Sequence, residues 1–303
     1  MLFQFLKVLL IPCLCLAAMA QESPFQTGAV LMEKNGKSRT IHLISATKNS
    51  IRYRIADEAP AEMELDDDNS VLVLEPRDYS VAMDLYQGRK YSEARAKFSA
   101  VKQRHVPVKS LADSYSTLAA FYEMECMRQS GDLEGLSEAL QKFNYGPLTR
   151  EYQLRQLELY VLWDAARTRN WERLQSLAEE RVNLRLPGDQ RAQVAYCHGL
   201  ALEGLMRTDE ALLAFNTALT ADAGASDVVT RLAALKALAI YHKDPEVQAA
   251  IAMQGKAAAA IPISGRIKLA EAAAVAKLFE MALGSGSPLP VEFRNFSKKL
   301  DER

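Results

Sequence analysis

The hydrophobic period of this chain changes once, between Glu75 and Tyr79, and that change limits what it can fold into. Before it, apolar and polar residues alternate. In Ile51-Arg52-Tyr53-Arg54-Ile55, the residues Ile51, Tyr53 and Ile55 fall on one side of a strand and Arg52 and Arg54 on the other. After it, apolar residues recur every three to four positions and turn residues arrive roughly every 12 to 20 positions, with no further alternating run. A small antiparallel β unit followed by a mainly α unit is the fold class this pattern predicts, and a length of 303 residues suits two domains.

Five short strands are predicted, over 28–34, 37–45, 51–55, 61–65 and 70–74. Their turns contain Asn35-Gly36, Thr47-Lys48-Asn49-Ser50, Asp57-Glu58-Ala59-Pro60 and Asp66-Asp67-Asp68-Asn69. Charge is segregated along them. Lys34, Lys37, Arg39, Lys48, Arg52 and Arg54 come first, and the charged residues of 57–68 are all acidic. Antiparallel pairing would set such strands opposite one another. Gly28-Ala29-Val30, the Asn-Gly turn and the short final strands resemble SH3-like or Sm-like small barrels, which implies a closed antiparallel barrel over 21–75. The Arg52 and Arg54 face is an alternative site, for cell-wall or surface polysaccharide. The Asp66-Asp67-Asp68 run lacks the alternating ligands of a calcium loop and reads as a solvated turn.

In the second part, Ala82, Leu85, Tyr91, Ala94, Phe98 and Val101 recur in spacing as Gly199, Leu202, Ala211, Phe215 and Ala218. A small residue on each helix of a pair permits a close crossing, and an aromatic fills the space beside it. These segments resemble the 34-residue tetratricopeptide (TPR) pattern. Weaker copies begin near Ser130-Gly131-Asp132 and Arg169-Asn170-Trp171, and helices follow over 227–242, 245–260 and 265–283. The resemblance implies a TPR-like α-solenoid of about five helical hairpins over 76–284, with an Ala-rich end that departs from the pattern and a flexible tail over 285–303. It also implies a concave face that receives a protein or peptide. By position, the residues on that face would be Tyr79, Tyr86, Phe121, Glu125, Arg128, Trp163, Arg167, Tyr196 and Glu203, rich in the aromatic and arginine side chains that anchor interfaces.

Residues 1–20 combine Lys7, an apolar run over 8–18 and Ala18-Met19-Ala20, the pattern of a signal peptide of bacterial type. The run is shorter than the roughly 20 residues of a membrane span, so the expected product is exported, periplasmic or on the cell surface, and not an integral membrane protein. Cys13 and Cys15 would leave with the signal. Cys126 and Cys197 remain, too few for a disulfide framework, and are read as buried small hydrophobes, a single bridge or a reactive thiol. A net charge of −1 provides no field to gather nucleic acid. Metalloprotease, phosphate-loop, nucleophile-elbow and mature Cys-x-x-Cys motifs are missing, and His42, His105, His198 and His242 are scattered. The sequence therefore reads as a non-enzymatic scaffold without cofactor or metal, whose partner is an envelope protein or peptide.

Overall fold

The computed structural model describes residues 25–221, 227–253, 262–283 and 288–297. The predicted signal segment, residues 1–20, lies outside them. The chain divides into two compact units at Leu74 and Glu75.

The first unit is a five-stranded antiparallel sheet: β1 Thr27–Glu33, β2 Ser38–Ala46, β3 Ser50–Arg54, β4 Ala61–Glu64 and β5 Asn69–Val73. Gly36, at φ 80°, makes the β1–β2 turn that Asn-Gly predicts. The spatial order is β4-β3-β2-β1-β5. Among the described residues no ladder joins β4 to β5, so the sheet is open where a closed barrel is expected. Pairing sets Ala29 opposite both Ile41 and Val73, and Leu43 opposite Tyr53. One face is thereby apolar, and Ala29, Leu31, Ile41, Leu43, Ile51 and Tyr53 form its buried core. A bulge between Leu43 and Ser45 shifts the β2–β3 register without exposing Ile51 or Tyr53. The segregated charges meet as expected: Arg52 stands opposite Glu62, and Lys34 bonds Asp68.

The second unit is helical. Its long helices are α1 Arg77–Gln87, α2 Tyr91–Arg104, α3 Tyr115–Ser130, α4 Leu133–Lys142, α5 Glu151–Arg167, α6 Trp171–Val182, α7 Gly188–Gly204, α8 Thr208–Ala221, α9 Asp227–Lys243, α10 Pro245–Ala252 and α11 Ile263–Leu278, and a short α12, Arg294–Ser297, follows. Consecutive helices pack together, and α1 also touches α3, α5 touches α7, α7 touches α9, and α9 touches α11. The turn inside each of the first four pairs has one residue in the left-handed region, two positions before the second helix: Arg89, Gly131, Arg169 and Met206. Ser114, Asp132, Asn170 and Asp244 cap helix N-termini with their side chains.

Packing explains the repeated small residues. Ala82, Ala94, Phe98, Ala211, Phe215 and Ala218 are all fully buried. At Gly199 a Cβ would lie 2.6 Å from the Phe215 ring, so α7 and α8 cross as closely as they do only because position 199 has no side chain. The Ala-rich end behaves similarly, since a Cβ on Gly265 of α11 would meet the Glu246 carbonyl oxygen of α10 at 2.7 Å. Odd-numbered helices begin at Arg77, Tyr115, Glu151, Gly188, Asp227 and Ile263, a wider spacing than the TPR pattern. Within the stretch expected to be a flexible tail, residues 288–297 are packed. Leu289, Phe293 and Phe296 are buried, with Phe293 and Phe296 edge-on to His242 of α9.

Candidate functional site

The odd-numbered helices carry every residue assigned by resemblance to a concave face: Tyr79 and Tyr86 on α1, Phe121, Glu125 and Arg128 on α3, Trp163 and Arg167 on α5, Tyr196 and Glu203 on α7. The structure brings most of them together, but inside the unit. Tyr79, Phe121, Glu125, Arg128, Trp163 and Tyr196 are buried.

Their polar atoms bond one another. Arg128 Nε and Nη2 donate to Glu125 Oε1 and Oε2 at 2.9 and 2.8 Å, in the two-pronged geometry that best compensates a buried carboxylate. Tyr160 of α5 donates its hydroxyl to Glu125 Oε1 at 2.7 Å, and Tyr86 donates to Oε2 at 3.3 Å. The Arg128 guanidinium sits 5.7 Å from the centre of the Trp163 ring. Trp163 Nε1 donates to Gln193 Oε1 at 3.0 Å, and Gln193 and Gln156 exchange amide bonds at 2.9 and 3.0 Å. The Tyr196 ring then lies between those of Trp163 and Phe215, tilted to both. Contacts thus run unbroken from α1 through α3 and α5 to α7 and α8. Burial alone would raise the Glu125 carboxyl, but Arg128 and the two tyrosine hydroxyls hold it below its ordinary range. Burial pushes the Tyr86 and Tyr160 hydroxyls well above theirs.

Arg167 and Glu203 sit at the margin, Arg167 bonded to Asp164 and Glu134 at 2.8 and 2.9 Å and Glu203 to Lys236 at 2.7 Å. Such half-exposed pairs contribute little to stability.

Among the described residues, open grooves lie elsewhere on the helical unit. A groove of about 540 Å³ runs between α6 and α8 with α7 as its floor. Val194, Ala195 and Ala214 make the base, Val182 and Leu213 stand exposed along the walls, and Arg191 is at one end. Its His198 has a pKa lowered by burial, and its Nε2 is 3.8 Å from Glu179 Oε1, beyond hydrogen-bond reach. A smaller groove of about 290 Å³ occupies the equivalent place between α2 and α4 over α3. Sequence reasoning missed both because a groove between neighbouring pairs belongs to neither pair's own pattern. The available signal was Leu213, an apolar residue off the buried stripe of Ala211, Ala214, Phe215 and Ala218.

In the β unit, Arg52 and Arg54 project from β3 on the side opposite the core, with His42 across from Arg54. Cys126 and Cys197 are free and buried, and burial raises each thiol to about 12. Among the described residues no three His, Cys, Asp or Glu side chains converge as metal ligands, and no helix is long and apolar enough to cross a membrane. Compared with protein families, with curated proteins and with solved structures, the chain matches none of them.

Proposed function

We propose that this chain is an exported, non-enzymatic adaptor, a TPR-like solenoid behind an SH3/Sm-like β unit, that holds a peptide segment of an envelope protein. Alternating contacts between odd-numbered helices and four equivalent left-handed turns support the solenoid reading. The β4-β3-β2-β1-β5 order supports a sheet rolled toward a barrel. The observation that carries the binding reading is the groove over α7. Its floor is apolar, Leu213 is 69% exposed on its wall, and Arg191 stands at its end to meet an acidic flank of the bound segment.

The buried aromatics of the odd-numbered helices support the groove's rigidity. A Tyr–Glu–Arg–Trp–Gln network fixes α7 against α5 and α3, so a peptide meets a preformed surface. A photoreactive residue at position 213 is expected to capture one envelope protein, and Leu213→Asp is expected to abolish its retention while helicity stays unchanged. Capture from position 52 and none from 213 would overturn the assignment.

A second reading, polysaccharide binding through the β unit, is favoured by Arg52 and Arg54 lying on one face of β3, opposite the core. Retention on cell-wall material that is lost in Arg52→Ala/Arg54→Ala would establish it.

A further inference from the structure

The two edges of the β sheet differ in a way that points to a partner. β4 ends the sheet with Ala61-Glu62-Met63-Glu64, whose carboxylates guard an edge against pairing, whereas β5, Asn69-Ser70-Val71-Leu72-Val73, has no charge and no proline.

The register shows which β5 groups are unused. Leu74 N bonds Gly28 O at 2.9 Å and Lys34 N bonds Asp68 O at 2.7 Å, which places the bonded pairs of the β1–β5 ladder at Gly28/Leu74, Val30/Leu72, Met32/Ser70 and Lys34/Asp68. The backbone N–H and C=O of Asn69, Val71 and Val73 therefore point away from β1, along the open edge. On the outer face, Met32, Leu72 and Leu74 form an exposed apolar strip, at 41, 56 and 42%.

We infer that β5 pairs antiparallel with β5 of a second copy of this chain, about a two-fold axis at Val71. Val71 then exchanges both backbone bonds with its counterpart, and Asn69 does so with Val73 of the other copy. Each outward group gains a partner and Leu72 is covered from its free side. Charge selects this pairing. An uncharged strand meets itself without repulsion, while β4 against β4 would set Glu62 and Glu64 against their own copies, and β4 against β5 would lay carboxylates beside Leu72. A self-complementary contact closes at two subunits.

The test is sedimentation of the purified chain over a concentration series to about 0.1 mM, with amide hydrogen exchange at both ends of the series. A monomer–dimer equilibrium is expected, with Val71 and Val73 amides protected only at high concentration. Val71→Pro removes an outward N–H and leaves the β1 ladder whole. It and Leu72→Lys should each return the chain to monomer with circular dichroism unchanged. A monomer throughout would overturn the inference, as would oligomers larger than two, or a dimer indifferent to both substitutions.

Discussion

The Glu125–Arg128 pair shows how one residue's role depends on its neighbours. Both side chains are fully enclosed, so neither charge has water to solvate it, and each is tolerated only because of the other. Removing one partner strands a buried charge. Arg128→Met is expected to cost about 3–5 kcal/mol in denaturant unfolding, and Glu125→Leu/Arg128→Met to cost less than Arg128→Met alone. Equal losses in single and double variants would refute the coupling. Because the Glu125 carboxyl titrates below its ordinary value of 4.5 when folded, its contribution is present in full above that pH and is lost as pH falls through the folded value. Stability measured against pH should therefore have a shallower acid limb in Glu125→Gln. The sequence placed Glu125, Arg128 and Trp163 on the right helices. For Trp163 burial was legible, since aromatics at helical spacing are more often core than site, but for Glu125 and Arg128 it was not, because a charged residue on a helix reads as solvated until the facing helix supplies Tyr160 and Tyr86.

At the scale of elements, turns and crossings determine how the helices pair. Arg89, Arg169 and Met206 hold φ values of 61°, 54° and 62°, where a side chain is strained and glycine is not. Met206 is 85% exposed, so Met206→Gly relieves strain without removing packing and should stabilise by about 0.5–1 kcal/mol, seen as a raised Tm. An unchanged or lower Tm would show that this turn does not limit the pair. Gly199→Ala acts in the opposite sense. Its methyl would enter the Phe215 ring, and a loss of about 1–3 kcal/mol is expected, partly recovered by Phe215→Leu. Gly199, Ala211 and Phe215 were legible from spacing because packing demands those sizes at those places. The left-handed turns were legible only at Gly131, since nothing in an arginine or methionine announces a positive φ. The sheet's openness was likewise hidden, because a period of two fixes which face is buried and says nothing about whether the two edge strands meet.

For the whole chain, the two units differ in how much apolar surface each holds. The β unit encloses a core of Ala29, Leu31, Ile41, Leu43, Ile51 and Tyr53 within about 50 residues, a size at which domains are marginal. In the helical unit a larger buried cluster runs from Met124 of α3 to Phe296 of α12, and the buried Tyr79, Ala82, Ala94, Phe98 and Val101 of α1 and α2 lie outside it. Cooperative unfolding follows a shared core, so the helices that contribute to this cluster should melt as one and the sheet should melt on its own, at lower denaturant. The chain's two tryptophans, Trp163 and Trp171, both belong to the helical unit, so their fluorescence follows that unit alone. Amide exchange at Leu31 and Ile41 follows the sheet. Protection of those amides is expected to vanish at denaturant concentrations where tryptophan emission is still native. If the two signals fell together, the sheet would have to draw its stability from outside its own six-residue core, and the division at Leu74 and Glu75 would mark a compact unit without an independent folding equilibrium.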